Sequence, residues 1–164
     1  MRDAGNTAAR QQANAARLNE KRGVSMLNDA GRNTVAVCVT GQRDCDRLIR
    51  AGRELADRLG CGLVVMSALP RLYDEETAQV LEYLYSTSVK ADAQMLVMYT
   101  DRPMEALMEA FGKHNVGRVV LGAPGRRSSQ MGARLMCGYP QADYYALDAA
   151  GRACQVQEAV RAAL

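Results

Sequence analysis

The stretch Thr34-Val-Ala-Val-Cys-Val-Thr40 constrains this chain more than any other. It is short, β-branched and apolar at consecutive positions, so as a strand it offers apolar side chains to both faces. Such a strand cannot keep one face in water. It has to lie inside a sheet covered on both sides, the usual setting of parallel strands. The following residues supply the cover. Cys45, Leu48, Ile49, Gly52, Leu55, Ala56 and Leu59 recur at helical spacing, while Arg47, Arg50, Arg53, Asp57 and Arg58 fall largely outside that stripe, which predicts a helix over 43–59. Gly60 suits the left-handed position that ends a helix. Gly52, on the apolar stripe, predicts a close approach of helix to sheet.

The same unit repeats. Gly62 to Ala68 reads as a second strand, closed by Pro70. Residues 74–91 read as a helix with Asp74, Glu75 and Glu76 in its first turn, where the helix dipole favours them. A third strand is expected over 95–100. A helix follows to about His114, started at Asp101 or Arg102 with Pro103 in its first turn and burying Met104, Leu107, Met108 and Phe111. A fourth strand covers 117–122, a short helix 131–137, and a fifth strand 143–147. The tail from Gln155 to Leu164 has Val156, Ala159, Val160, Ala163 and Leu164 at helical spacing and predicts a last docked helix. Strands alternating with helices of ten or more residues define an α/β fold, a single three-layer α/β/α domain with a five-stranded parallel sheet. Right-handed crossovers put helices on both faces.

Residues 1–32 differ. They are rich in Ala, Arg, Asn and Gln and hold little that could be buried, which predicts a polar arm, helical by propensity at most, ahead of a domain over 33–164. The arm has no apolar run of the secretory kind. No stretch approaches the roughly 20 apolar residues that span a bilayer, so membrane insertion is not expected. The net charge of +3, one Phe and no Trp give no nucleic-acid signature. The five cysteines form no C-x-x-C pair, and free thiols in a reducing cytoplasm fit them best. With His114 as the one histidine, neither a metal set nor a Cys–His couple is expected.

In a doubly wound sheet of order 3-2-1-4-5, ligands sit where strand order reverses, between the loops after strands one and four. Those loops are Thr40-Gly41-Gln42 and Gly122-Ala-Pro-Gly125-Arg-Arg-Ser128-Ser129. Glycines let a backbone approach a phosphate, amides at a helix start favour an anion, and Arg126 and Arg127 can add charge-assisted bonds. The candidate ligand-binding residues are therefore Thr40, Gly41, Gln42, Gly122, Gly125, Arg126, Arg127 and Ser128. A plain strand-to-helix turn is the competing reading of each loop. Neither a P-loop nor G-x-G-x-x-G occurs.

Three stretches carry a family resemblance. Val35-Ala-Val-Cys-Val-Thr-Gly41 with Leu48-Ile-Arg-Ala-Gly-Arg-Glu-Leu-Ala-Asp-Arg-Leu-Gly60, and then residues 104–122, resemble the universal stress protein family, most of all the version inside the potassium-responsive sensor kinase KdpD. The resemblance covers about Thr34 to Leu147. It implies an adenine nucleotide alpha hydrolase-like fold of order 3-2-1-4-5, a homodimer, and a stress or signalling role that binds an adenine-containing nucleotide without catalysis. The implied ligand is ATP, AMP or a cyclic dinucleotide. In nucleotide-binding members G-x-x-G, nine residues, then G-[S/T] holds the phosphates. Gly122 and Gly125 match its start; Leu135 stands where the next glycine belongs, and Gly132-Ala133 would serve only in a shortened loop. Thr40 stands where an acidic residue often closes the first strand. The cyclic di-AMP elements of some sensor-kinase domains fall on Thr40-Gly41-Gln42 and Leu63-Val-Val-Met-Ser67, with different residues. The alternative is a ligand-free dimerisation or protein-interaction module, docking a second copy or a signalling partner through the arm and a sheet edge near Tyr144-Tyr145. An enzyme such as a nucleotide hydrolase ranks last.

Overall fold

The computed structural model describes residues 32–122, 128–148 and 150–156, with the backbone alone at 128 and 129. The chain runs through β1 (Thr34–Cys38), α1 (Asp46–Leu59), β2 (Gly62–Leu69), α2 (Glu75–Lys90), β3 (Gln94–Tyr99), α3 (Pro103–Lys113), β4 (Val116–Leu121), α4 (Ser128–Gly138), β5 (Asp143–Leu147) and β6 (Ala153–Gln155). The strands form one sheet of order β3-β2-β1-β4-β5-β6. The first five are parallel, and β6 is antiparallel to β5.

The sixth strand corrects the expected five. A turn from Asp148 to Arg152 folds the chain back. Asp148 Oδ1 accepts the N–H groups of Ala150 and Arg152, each at 2.9 Å. Asp148 N–H donates to the Arg152 carbonyl at 2.9 Å, and Gly151 takes a φ of 79°. Only glycine adopts that backbone without strain. Gln155, expected in the tail helix, therefore lies in β6, and Val156 follows it with its N–H donating to the Tyr144 carbonyl at 2.7 Å; residues 157–164 lie outside the described residues, as does the arm up to residue 31. The hairpin also corrects the reading of Tyr144-Tyr145 as a sheet edge, because β6 covers β5.

The sequence pattern explains the core. Alternate residues of β1 go to opposite faces: Val35 and Val37, with Val39 just past the strand, pack with Leu48, Ile49 and Leu55 of α1 and Val80 and Leu84 of α2. Ala36 and Cys38 pack with Leu107 and Phe111 of α3 and Leu135 of α4. Gly52 sits where an added Cβ would collide with Val37 Cγ2, so α1 lies tight on β1 as its missing side chain predicted. Asp74 caps α2 by accepting the Thr77 N–H at 2.8 Å. Pro103 occupies the first turn of α3, and Gly60 closes α1 at φ 64°. Tyr144 is fully buried, its hydroxyl shared between the carbonyls of Leu135 and Tyr139 at 2.8 Å each.

Candidate functional site

α1 leaves the carboxyl end of β1 toward one face, and α4 follows β4 on the other. β1 and β4 are neighbours, with Val37 beside Val120, so their carboxyl ends meet where the strand order reverses, the position at which sheets of this kind open a ligand crevice. Of the eight candidate residues, the structure brings Thr40, Gly41, Gln42 and Gly122 to this crevice. Ser128 opens α4. Gly125, Arg126 and Arg127 lie outside the described residues.

The loop after β1 is held from below. Val39 N–H donates to the Met66 carbonyl at 2.9 Å, fixing the strand end against β2. Thr40 N–H donates to Cys45 Sγ at 3.4 Å, and Thr40 Oγ1 lies 3.6 Å from the same sulfur. Cys45 N–H returns to the Gln42 carbonyl at 3.1 Å. Buried Cys45 thus anchors the loop while Thr40 and Gln42 stay exposed. The sequence marked Cys45 only as part of the apolar stripe of α1.

The two glycines differ in why they are small. A Cβ at Gly41 would meet Thr77 Cγ2 at 3.0 Å, so close packing against the start of α2 favours glycine there. Among the described residues a Cβ at Gly122 would meet only Leu48 Cδ1, at an ordinary 3.9 Å, and no positive φ requires glycine. Nothing among the described residues fills the space a side chain at 122 would take. Gly132 is occupied otherwise: its Cβ would lie 3.3 Å from Leu121 Cδ1, so it seats α4 against β4. Leu135, at the position of the missing phosphate-loop glycine, is fully buried in the core.

Ser67 escaped the sequence reading as a polar core group. It lies on β2, fully buried, and its Oγ has no hydrogen-bond partner among the described residues. Its neighbour Met66 bonds the end of β1, so an orphan hydroxyl stands one strand away from Thr40.

Asp74, Glu75 and Glu76 crown α2 beside Gly41, and the Thr77 hydrogen bonds hold the Asp74 carboxyl below its usual range. That acidic turn disfavours dense phosphate charge on the α2 side. Burial pushes the Cys38 thiol up to about 12, which makes it inert as a nucleophile. His114 ends α3 before β4 begins, at the opposite end of the sheet. Cys38, Cys45 and Cys61 are buried and free; Cys137 and Cys154 are free and exposed. Among the described residues no group of three or more His, Cys, Asp or Glu is placed to hold a metal ion, and no helix is long and apolar enough to cross a membrane. A surface hollow lined by Glu54, Asp57, Arg58 and Arg152 lies on the flank of α1 and includes none of the candidate residues.

The chain has solved counterparts among universal stress proteins. One, in complex with cAMP, matches with a TM-score of 0.53 at 15% identity, covering 70% of this chain and 94% of its own. The universal stress protein from Archaeoglobus fulgidus, in complex with dAMP, matches with a TM-score of 0.55 at 18% identity, covering 71% of this chain and 98% of its own. The chain therefore has the fold of universal stress proteins, with one antiparallel strand at the β5 edge. No protein-family model matches the chain, and no curated protein matches it.

Proposed function

We propose that this chain is a universal stress protein-like stress or signalling domain that binds an adenine nucleotide between the β1 and β4 loops, without catalysis. The observation that carries the reading is Gly122: it lies at the switch point, and among the described residues neither packing nor backbone conformation accounts for its lack of a side chain. A ligand that comes against the backbone does account for it. The solved counterparts are complexes with cAMP and dAMP, which favours a nucleoside monophosphate. Two features of this chain agree. Leu135 is committed to the core instead of a phosphate loop, and the acidic turn of α2 stands beside the crevice. ATP and cyclic dinucleotides rank below AMP for the same reasons.

The non-catalytic part rests on the inert Cys38 and on His114 lying away from the crevice. Free thiols go with a reducing, cytoplasmic setting. Kinship with the sensor-kinase domain belongs to this proposal on the sequence resemblance alone. A thermal-shift panel of AMP, cAMP, ATP, cyclic di-AMP and NAD tests the reading. A ligand of the folded state at a hundredfold excess over its Kd stabilises by about 2.7 kcal/mol, a readily measured shift. AMP or cAMP should raise the melting temperature; no shift with any adenine nucleotide at millimolar concentration would overturn the proposal.

A further inference from the structure

The first turn of α1 touches two places at the carboxyl end of the sheet. Leu48 Cδ1 lies 3.9 Å from the point a Cβ on Gly122 would occupy. Its neighbour Arg47 reaches further out, and Arg47 Nη2 lies 3.6 Å from the point a Cβ on Gly151 would occupy. Gly151 belongs to the turn between β5 and β6. Leu121 of β4 pairs with Ala146 of β5, so Gly122 and the turn that begins at Asp148 leave adjacent strands within two residues of that pair. Arg47 therefore sets a guanidinium at the β5 side of the crevice, next to the residue that carries the nucleotide reading.

That guanidinium is uncommitted. Three other arginines around this helix have partners. Arg43 lies over the Tyr83 ring at 5.3 Å, Arg50 pairs with Asp46 at 3.4 Å, and Arg53 pairs with Asp57 at 2.6 Å. Arg47 is exposed and has no hydrogen bond or ion pair among the described residues. Asp148, the carboxylate of the neighbouring turn, is already engaged. Its Oδ1 accepts two backbone N–H groups, and its Oδ2 faces Arg152 Nε and Cys154 Sγ, each at 3.5 Å. Across the crevice the acidic first turn of α2 repels phosphate, and Leu135 is committed to the core. The charge of Arg47 thus has no use within the described fold, and it stands on the side of the crevice that phosphate would favour.

We infer that Arg47 is a phosphate-binding residue of this crevice, its guanidinium taking two oxygens of a nucleoside monophosphate whose path runs past the bare backbone of Gly122. The inference rests on the nucleotide reading above and adds the group that tells a nucleotide from a nucleoside. A guanidinium presents its donors in a fixed fork that matches phosphate in pairs. A phosphate monoester, doubly charged at neutral pH, gains more from that fork than a singly charged cyclic diester. AMP should therefore bind tighter than cAMP, and cAMP tighter than adenosine.

Calorimetric titration of the full chain with AMP and with adenosine tests this. The wild type should bind AMP at least about tenfold tighter than adenosine, the scale of a hydrogen bond to a charged group. Arg47→Gln replaces an exposed side chain without partners, so it should melt like the wild type. It should bind adenosine unchanged and lose the preference for AMP. Arg47→Lys keeps the charge without the fork and should fall between the two. Arg58→Gln removes an equal charge from the last turn of α1, outside the crevice, and should leave both affinities as they were. An AMP preference that survives in Arg47→Gln, or equal affinities of the wild type for AMP and adenosine, would overturn the inference and leave the nucleotide reading standing. A preference lost equally in Arg58→Gln would overturn it as well, because the overall charge would then be responsible. Binding of neither ligand by the wild type would overturn both the inference and the reading beneath it.

Discussion

Replacing Gly52 by alanine tests the packing that positions the crevice. The added Cβ would collide with Val37 Cγ2 and lie 3.3 Å from Leu63 Cδ1. Val37 is fully buried in the central strand, and a β-branched side chain has little freedom at χ1. Relief therefore requires α1 to lift or β1 to shift, an overpacking that costs about 1–3 kcal/mol. Alanine in a helix interior returns about 1 kcal/mol over glycine. Because the collision is with a core strand and not a flexible tip, overpacking should win, leaving Gly52→Ala less stable by about 1–2 kcal/mol. Urea denaturation followed by circular dichroism measures this. The clash is with a γ-methyl, and Val37 Cβ itself would lie at an ordinary 3.7 Å. Val37→Ala should therefore absorb the added methyl, and the double variant should be more stable than the sum of the singles by about 1–2 kcal/mol. A stabilised Gly52→Ala, or a double variant that is simply additive, would refute the reasoning.

Four further outcomes follow from individual groups. Ser67→Ala removes a buried hydroxyl that has no partner among the described residues and should raise stability by about 1 kcal/mol, seen as a higher urea midpoint at unchanged slope; a loss would mean that the hydroxyl is satisfied in solution. Tyr144→Phe takes the donor from two buried carbonyls and should cost about 1–2 kcal/mol in the same assay. Asp74, Glu109 and Asp148 are held below their usual carboxyl range, chiefly by bonds from Thr77, Lys113 and the Arg152 backbone. Their stabilisation is present above the unfolded-state value and is lost as pH falls through the folded-state values, so melting temperature should drop on acidification below about pH 4, and less steeply in Asp74→Asn. Gly122→Val should melt like the wild type, because among the described residues its first added atom meets only Leu48, at 3.9 Å, and should lose AMP binding.

Much of the architecture was legible because large, regular signals carry it. The two-faced strand at residues 34–40 forces a covered sheet, and three helices announced an end by a particular residue: Asp74, Pro103 and Gly60. The β5–β6 hairpin was not legible, since three residues have no periodicity of their own and the turn depends on the Asp148 side chain bonding two backbone amides. The spacing of Val156, Ala159 and Val160 pulled Gln155 into a helix instead. That hairpin in turn moved the sheet edge from Tyr144-Tyr145 to β6, which no local pattern could reveal. At the crevice, Thr40, Gly41, Gln42 and Gly122 could be placed from the switch-point rule. Cys45 as loop anchor and Ser67 as orphan hydroxyl could not, because a buried thiol and a buried serine look alike in sequence whether or not they have partners.

Calorimetric titration of AMP into the wild-type chain and into Gly122→Val tests the central claim most directly. Saturable binding to the wild type, weakened at least tenfold in the variant at equal melting temperature, is the predicted result. Equal affinity in both chains would contradict the site, and no heat from AMP, cAMP or dAMP at millimolar concentration would contradict nucleotide binding itself.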